Sequence, residues 1–361
     1  MFRPQTIYIE EGAEEFPLTR EVLKLYPEIP VERDVEVFPL IRDIRKTSSD
    51  VFGAGKKQLV LGKFKGSFLK KCPGISPGMV CCNYYVVNLL KNCIYDCSYC
   101  FLQDFLANNP LLVAFVNVED LIHELEAIFS LYPDRTFRVG TGELTDSLAL
   151  DHILPYTNQL VPFFNRQQNA VLELKTKSDR VDNLLKQDPK NVIVSWSVNP
   201  QLVIDQEEKG TPDLAQRIEA ARKCQEKGYK IGLHLDPVIL FPGWEEAYEE
   251  LIGTLFSSLS PAAIEWISLG SFRYRSSLKQ IIKSRHSGTL LFNSEHVPSK
   301  DGKFRYLRPL RNHAYETLHR TLKQYSDDLN IYMCMETKEV WEGVTGTLPR
   351  SDKKLDPFFD H

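Results

Sequence analysis

Beyond residue 82 the apolar positions fall into two alternating rhythms. Short β-rich runs occur at 84–90, 136–140, 170–176, 191–198, 230–236 and 263–269. Between them, 118–131, 147–164, 179–187, 211–227 and 244–257 repeat their apolar residues at helical spacing. The fourth of these helices opens on Thr211 as N-cap with Pro212 at the first helical position, and Gly228 lies past its end. Strands alternating with helices of this length imply parallel strands joined by right-handed crossovers. Six units suit an incomplete barrel better than the eight-fold one, which takes about 250 residues. A doubly wound sheet is the alternative that the repetition leaves open.

The flanks break this rhythm. Segment 17–47 mixes Pro27, Pro30 and Pro39 with short apolar runs and reads as a wrapping, weakly regular region. From Lys56 to Lys71 there are six lysines and no acid, with Phe64 and Phe68 among them. CPGISPG then supplies turn chemistry. After residue 270, SFRYRSSLKQIIKSRH is a basic helix candidate, and Asp301-Gly302 suits a two-residue turn between two hairpin arms. A helix at 312–326, a strand at 330–335 and a polar tail follow. The expected division is an N-terminal extension over 1–82, a barrel over 83–273 and a C-terminal extension over 274–361.

Composition narrows the class. The 361 residues are 43% hydrophobic and 25% charged, an ordinary globular balance. No run reaches the roughly 18 apolar residues of a membrane helix, so no membrane partner is expected. The opening MFRPQTIYIEEGAEEF has early acids and no apolar run, so a cytoplasmic location is expected. The net charge of −4 argues against a globally basic nucleic-acid coat but leaves room for a local basic groove.

Cysteine placement carries the chemistry. Of eight cysteines, Cys81, Cys82, Cys93, Cys97 and Cys100 fall within twenty residues, with Cys72 nine positions upstream. In a reducing compartment such a cluster reads as metal binding rather than disulfides. Cys93, Cys97 and Cys100 follow directly on a predicted strand, in the loop at its C-terminal end, where barrel active sites are built. Three thiolates in one loop suit three corners of a cubane iron–sulfur cluster and leave one iron without a protein ligand. The alternative is a zinc site completed by Cys82 or a histidine, although zinc ribbons usually carry two separated hooks and no second hook exists here.

The spacing Cys-x3-Cys-x2-Cys with Tyr99 before the last cysteine resembles the signature of radical S-adenosylmethionine enzymes. The wider stretch KGSFLKKCPG…CCNYYVVNLLKNCIYDCSYCFLQ is similar to the spore photoproduct lyase family, most specifically over 66–105 and 139–152. The resemblance implies an α/β fold with a partial parallel (β/α)6 TIM-like barrel. It also implies a 4Fe-4S cluster on Cys93, Cys97 and Cys100, and S-adenosyl-L-methionine chelating the open iron. An electron from a reductant such as a flavodoxin or ferredoxin then cleaves the sulfonium, and the resulting radical abstracts a substrate hydrogen.

The same resemblance assigns further positions. Glu143, in Gly140-Thr141-Gly142-Glu143 after the second strand, offers a carboxylate to the methionyl ammonium. Tyr99 is placed near the adenine, with simple packing as its alternative. Lys175 closes the third strand within reach of the methionyl carboxylate, or snorkels to the surface. Ser197 and Asn199, in SWSVNP, would meet the ribose or carboxylate, or merely form a turn. Arg217 reads as an exposed helical arginine. His234 and Asp236 end the fifth strand at the same rim, His234 reading as a satisfied core histidine.

Two departures concern hydrogen donors. Aligning Asp151-His152 with the family's Asp-His puts Glu143 where the family has its donor cysteine, and Phe101 stands where it has a relay tyrosine. Cys72, Cys81, Cys82 and Cys334 are candidate substitutes. Two functions therefore remain in view. One is a radical enzyme acting on a DNA base or thymine-dimer lesion, with Lys56–Lys71, Arg273–Arg285 and the Lys303–Arg311 arm meeting phosphates while Phe304 and Tyr306 stack bases. The other is a radical enzyme whose substrate is a peptide, RNA or metabolite.

Overall fold

In the computed structural model, which describes residues 2–74, 76, 78–80 and 82–346, the six β-rich runs lie side by side in chain order. They are β1 (Tyr84–Val87), β2 (Phe137–Gly140), β3 (Ala170–Thr176), β4 (Val192–Ser197), β5 (Lys230–Val238) and β6 (Ile264–Ser271). Every neighbouring pair is parallel. β7 (Ile331–Met333) extends the sheet in parallel beyond β6, and Leu69–Lys71 borders β1 antiparallel. A doubly wound sheet would reverse its strand order at a switch point. This one does not, so the fold is a partial barrel.

One hydrogen bond shows how far the sheet curls. Arg138 on β2 donates from Nη2 to the Tyr332 hydroxyl on β7 at 2.7 Å. Five strand spacings in a flat sheet would separate these strands by about 24 Å. The interior that closes between them is polar. Arg138 bonds Glu173 through Nε (3.0 Å) and Nη2 (2.8 Å). Ser195, His234 and Trp266 converge on the other oxygen of Glu173 at 2.7, 2.8 and 3.0 Å. Gly232 makes room for this cluster, since a Cβ there would lie 2.1 Å from the Ser195 hydroxyl. The alternate residues Leu172, Leu174, Ile231, Leu233 and Leu235 are all buried in the main apolar core.

Several elements depart from expectation. Segment 17–47 is not a weakly regular wrap, because it forms helices Pro17–Leu25 and Val37–Thr47. Pro17 sits at a helix start and Pro39 in a first turn, where a missing N–H costs nothing. These helices accompany a second sheet ordered Val31–Arg33, Thr6–Ile9, Gln58–Gly62, Leu112–Phe115, Leu90–Lys91. Its last two strands come from beyond residue 82, so this sheet is sewn to the start of the barrel.

The helix expected from 211 starts at Leu214, capped by Asp213 rather than Thr211: Asp213 accepts from Gln216 N, and the Gln216 side chain answers to Asp213 N. Within 147–164 the helix is confined to Thr157–Asn165. Upstream, Asp146 accepts from Leu148 N and Ala149 N, while Asp151 accepts from Thr157 N. These side-chain bonds offer the backbone turns in place of a helix.

The C-terminal hairpin pairs His296–Pro298 with Phe304–Tyr306. Its turn has three residues rather than two, with Ser299 N bonded to Lys303 O and Gly302 alone at positive φ. The following helix, Arg308–Lys323, begins earlier than expected because Pro309 serves as a helix starter.

The polar interior makes the fold acid-sensitive. Burial opposes ionisation of Glu173, but Arg138, His234 and Ser195 hold its carboxyl well below the usual range. Burial pushes His234 down to about 4, which keeps it neutral. A depressed carboxyl stabilises the fold above its unfolded value, and a depressed histidine does so above about 6.5. Both contributions fade as pH falls. Denaturation followed by circular dichroism should therefore show stability dropping from about pH 6.5 towards 4, and His234→Gln should flatten that drop. Glu173→Ala, which strands Arg138, should cost about 3–5 kcal/mol at neutral pH. A pH-independent midpoint, or a loss below about 1 kcal/mol, contradicts this account of the interior.

Candidate functional site

The three-cysteine loop is set by the chain on either side of it. After β1, Leu90–Lys91 pairs antiparallel with Val113 and Ala114 in the second sheet. Asn92 then turns at φ +71°, a conformation that asparagine tolerates. Its Nδ2 donates to the Pro110 carbonyl (2.6 Å), and its Oδ1 accepts from Cys93 N (2.8 Å). Further on, Asp96–Cys97 pairs with Glu208–Lys209. Cys100 N donates to the Cys97 carbonyl at 3.1 Å, closing a turn between the last two thiols.

Cys93, Cys97 and Cys100 share one apolar pocket with Tyr95 and Ala149, and Phe52, Leu102, Leu106 and Leu144 cover Cys93 and Cys100. Burial pushes the Cys93 thiol up to about 12 and raises Cys97 and Cys100. Two ammonium groups oppose this. Lys56 acts on Cys93 and Cys100, and Lys177 acts on Cys97 and Cys100. Burial favours the protonated thiols, whereas a bound metal favours thiolates. Among the described residues no three His, Cys, Asp or Glu side chains converge to hold a single metal ion. Cys82, the fourth ligand of the zinc alternative, is coupled instead to Arg138 and Tyr332.

At the adjoining rim, the Gly140–Glu143 turn lies against its neighbours: a Cβ on Gly140 would meet the Tyr84 hydroxyl at 1.6 Å, and one on Gly142 would lie 3.0 Å from the Lys175 carbonyl. Glu143 Oε2 accepts from Asn88 Nδ2 at 2.7 Å, and the residue is only half-buried. Lys175, two residues beyond Glu173 on the same face of β3, acts electrostatically on His234, Asp236 and Cys334. Asp236 is paired with Arg273 at 2.9 Å. His234 is a core histidine held through Nε2 by Glu173, with Nδ1 buried and without a hydrogen-bond partner.

Tyr99, Ser197 and Asn199 join through a residue the sequence did not single out, Glu208. Its carboxylate accepts from the Tyr99 hydroxyl and from Asn199 Nδ2 (2.9 Å), and it forms an ion pair with Arg217 Nη2 (2.6 Å). Burial works against its charge, yet Lys177 and Arg217 hold the Glu208 carboxyl below the ordinary range. Asn199 Oδ1 accepts from the Tyr248 hydroxyl at 2.9 Å, so most of its polar capacity is spent inside the protein. Ser197 is buried, and its carbonyl accepts from Arg217 Nη1 at 3.0 Å. Arg217 itself is fully buried rather than exposed, because Glu208, Ser197, Thr211 and Pro212 take up its guanidinium. The Tyr99 ring faces Lys177 Nζ at 5.5 Å.

Asp146 was also missed. It ties the β2 loop to the end of β3 by accepting from Thr176 Oγ1 (2.6 Å) and Lys177 N (2.6 Å). The signal that could have found it is an aspartate before serine in a turn-prone run.

The basic tracts are partly withdrawn into the fold. Lys56 is buried against Asp96 (2.9 Å), Arg285 pairs with Asp50 and Asp96, and Arg305 and Arg311 pair with Asp301 and Glu336. Tyr306 is buried, and Phe304 stacks on Tyr274 with centroids 5.6 Å apart. Lys57, Lys63, Lys65, Lys70, Lys71, Arg275 and Lys283 remain exposed. Of the other thiols, Cys224 is buried on helix Leu214–Lys227, and Cys334 follows β7 with Sγ 3.6 Å from Arg273 Nη2. Cys72 N donates to the Tyr84 carbonyl, and Cys81 lies outside the described residues.

The sequence model of the spore photoproduct lyase family matches residues 2–333. The spore photoproduct lyase of Bacillus subtilis (strain 168) is 28% identical over 296 residues, spanning 80% of this chain and 84% of the relative. That of Clostridium acetobutylicum is 26% identical over 310 residues, spanning 85% and 89%. Among solved structures, a spore photoproduct lyase double variant with bound AdoMet and dinucleoside spore photoproduct superimposes with a TM-score of 0.81. It is 23% identical and covers 92% of this chain and 99% of its own, a likeness that concerns the fold. With the match running over most of its length, this chain belongs to the spore photoproduct lyase family of radical S-adenosylmethionine enzymes.

Proposed function

We propose that the protein is a radical S-adenosylmethionine lyase in which Cys93, Cys97 and Cys100 hold a 4Fe-4S cluster with one iron open. The supporting observation is the shared apolar pocket of three thiols flanked by Lys56 and Lys177. When bound, the reduced cluster and S-adenosyl-L-methionine together supply a 5′-deoxyadenosyl radical for hydrogen abstraction. The barrel over 83–273 carries the site, and the described residues of the two flanking extensions, ending at 346, buttress it.

The chain's own residues have distinct tasks. Lys56 and Lys177 offset the negative charge that three thiolates bring into a low-dielectric pocket. Phe52, Leu102, Leu106 and Leu144 keep water from it. Glu143 is oriented through one oxygen by Asn88, which leaves its other oxygen for the methionyl ammonium. Lys175 attracts the methionyl carboxylate. Ser197 and Asn199 fix the β4 end beside the ribose, and the Tyr99 ring, anchored through its hydroxyl, lies beside the adenine. A low-potential flavodoxin or ferredoxin is the reductant, and the setting is cytoplasmic. Among the described residues no helix is long and apolar enough to cross a membrane.

The substrate reading that the family supports is a DNA base or thymine-dimer lesion, with the exposed lysines of 57–71 meeting phosphates. A second reading, a peptide, RNA or metabolite substrate, is favoured by two observations. Glu143 and Phe101 replace the family's donor cysteine and relay tyrosine, and Arg285, Arg305 and Arg311 are spent on internal carboxylates. On either reading Cys334 shares the rim with Lys175 and Asp236 and is the favoured substitute donor.

Cys93→Ala, Cys97→Ala and Cys100→Ala should each abolish 5′-deoxyadenosine formation by the anaerobic, reduced protein, scored by chromatography, whereas Cys224→Ala should not. Normal production in any of the first three overturns the cluster assignment. Glu143→Gln should retain iron but weaken S-adenosyl-L-methionine binding by about 10–100-fold, the worth of one charge-assisted hydrogen bond. Unchanged affinity in a titration removes Glu143 from the site. Binding to irradiated and undamaged DNA across a salt series separates the substrate readings. Salt-dependent affinity with restored thymine supports the lesion, and no affinity for either DNA leaves the second reading.

A further inference from the structure

Gln103 lies three residues beyond the last cluster cysteine and is buried. Its side-chain amide is spent entirely on the loop and on what braces it. Nε2 donates to the carbonyls of Ser98 (2.8 Å), Cys100 (3.2 Å) and Cys97 (3.3 Å). Oε1 accepts from Arg285 Nη1 and from His286 Nε2 at 3.2 Å. The amide has one workable orientation, since the flipped form would set an NH2 group against the guanidinium and an oxygen against three carbonyls. Arg285 is in turn fixed by Asp50 (2.9 and 3.1 Å) and by Asp96 inside the loop (3.1 and 3.2 Å).

These bonds complete the fastening of the turn between Cys97 and Cys100. On one side Cys97 pairs with Glu208, and Ser98 N donates to the Glu207 carbonyl. On the other, Gln103 gathers the three carbonyls that this pairing leaves over. With the peptide planes fixed from both sides, the Cα–Cβ bonds from which Cys97 and Cys100 present their sulfurs are fixed as well.

We propose that Gln103, braced by Arg285 and His286 at the end of helix Ser276–Arg285, is a positioning residue that pre-sets the Cys97 and Cys100 thiols for the cluster. The proposal rests on the cluster reading above. It gives the C-terminal segment a task at the cluster that neither the family match nor the cysteine spacing assigns. Partners of metal ligands typically change metal affinity by about 10–100-fold when removed.

The test is anaerobic reconstitution followed by iron release to a chelator, with electron paramagnetic resonance of the reduced protein and thermal melting as a check on folding. Gln103→Leu removes both halves of the clamp. Gln103→Glu keeps the acceptor for Arg285 and His286 but has no N–H for the carbonyls. Both should release iron about 10–100-fold faster than wild type and broaden the resonance, with the assays run well below the melting transition of each variant. Arg285→Lys, which keeps one donor, should show a smaller acceleration. If Gln103 only glues helix Ser276–Arg285 to its neighbours, Gln103→Glu will hold iron at the wild-type rate, and the proposal is overturned. Wild-type protein that takes up no iron overturns the cluster reading itself.

Discussion

The architecture depends on a carboxylate placed where a sheet would ordinarily have nothing charged. Glu173 is completely buried on the central strand β3 and binds Arg138, Ser195, His234 and Trp266 from four other strands. A buried charge is tolerable only when it is paired and hydrogen-bonded. Arg138 meets Glu173 from the neighbouring strand, whereas Trp266 on β6 and the Tyr332 hydroxyl on β7 join this cluster only because the sheet curls. Curling in turn gathers the strand ends, so the Gly140–Glu143 turn, Lys175, Ser197 and Asp236 stand round one mouth instead of along a flat edge. The floor of the barrel and the geometry of its rim are thus one constraint.

The cysteine loop meets this rim with a different electrostatic character. Its pocket is apolar, and burial there raises the thiols. What makes the pocket hospitable to a negatively charged cluster is borrowed from distant segments: Lys56 from the second sheet's side, Lys177 from the end of β3, and Gln103 with Arg285 round the turn. Glu208 does the same for the opposite wall, linking Tyr99 to Asn199 and Arg217 through one buried carboxylate. Loop and rim are therefore joined by side chains as well as by the backbone that enters the loop from β1 and pairs Asp96–Cys97 with Glu208–Lys209.

Much of this was legible in the sequence, and what was not has a common cause. Periodicity located helix Val118–Leu131 and the six parallel strands, because outward-facing Leu172, Leu174, Leu233 and Leu235 carry a clean apolar alternation. The same alternation concealed the interior. Nothing in it singled out Glu173, which bonds Arg138, Ser195, His234 and Trp266 in an interior that only the closed sheet creates. Prolines suggested irregularity over 17–47, but at helix starts and turns they are compatible with regular structure. Arg217, Glu208 and Asp146 were missed or misread because their meaning lies in partners brought together by the fold. Lys56 and Arg285 looked like surface charge in basic tracts, yet each is committed to Asp96. Cys93, Cys97 and Cys100 stood out in the sequence because their spacing is local.

The central claim is that three sulfurs hold a cubane whose fourth iron is free to take a small-molecule ligand. Mössbauer spectroscopy of iron-enriched, reconstituted protein, recorded without and with S-adenosyl-L-methionine, addresses that iron directly. The account predicts a 4Fe-4S signal in which one iron site changes its isomer shift on addition while the others keep theirs. A spectrum that is the same in both samples, or one that shows no cubane, would contradict it.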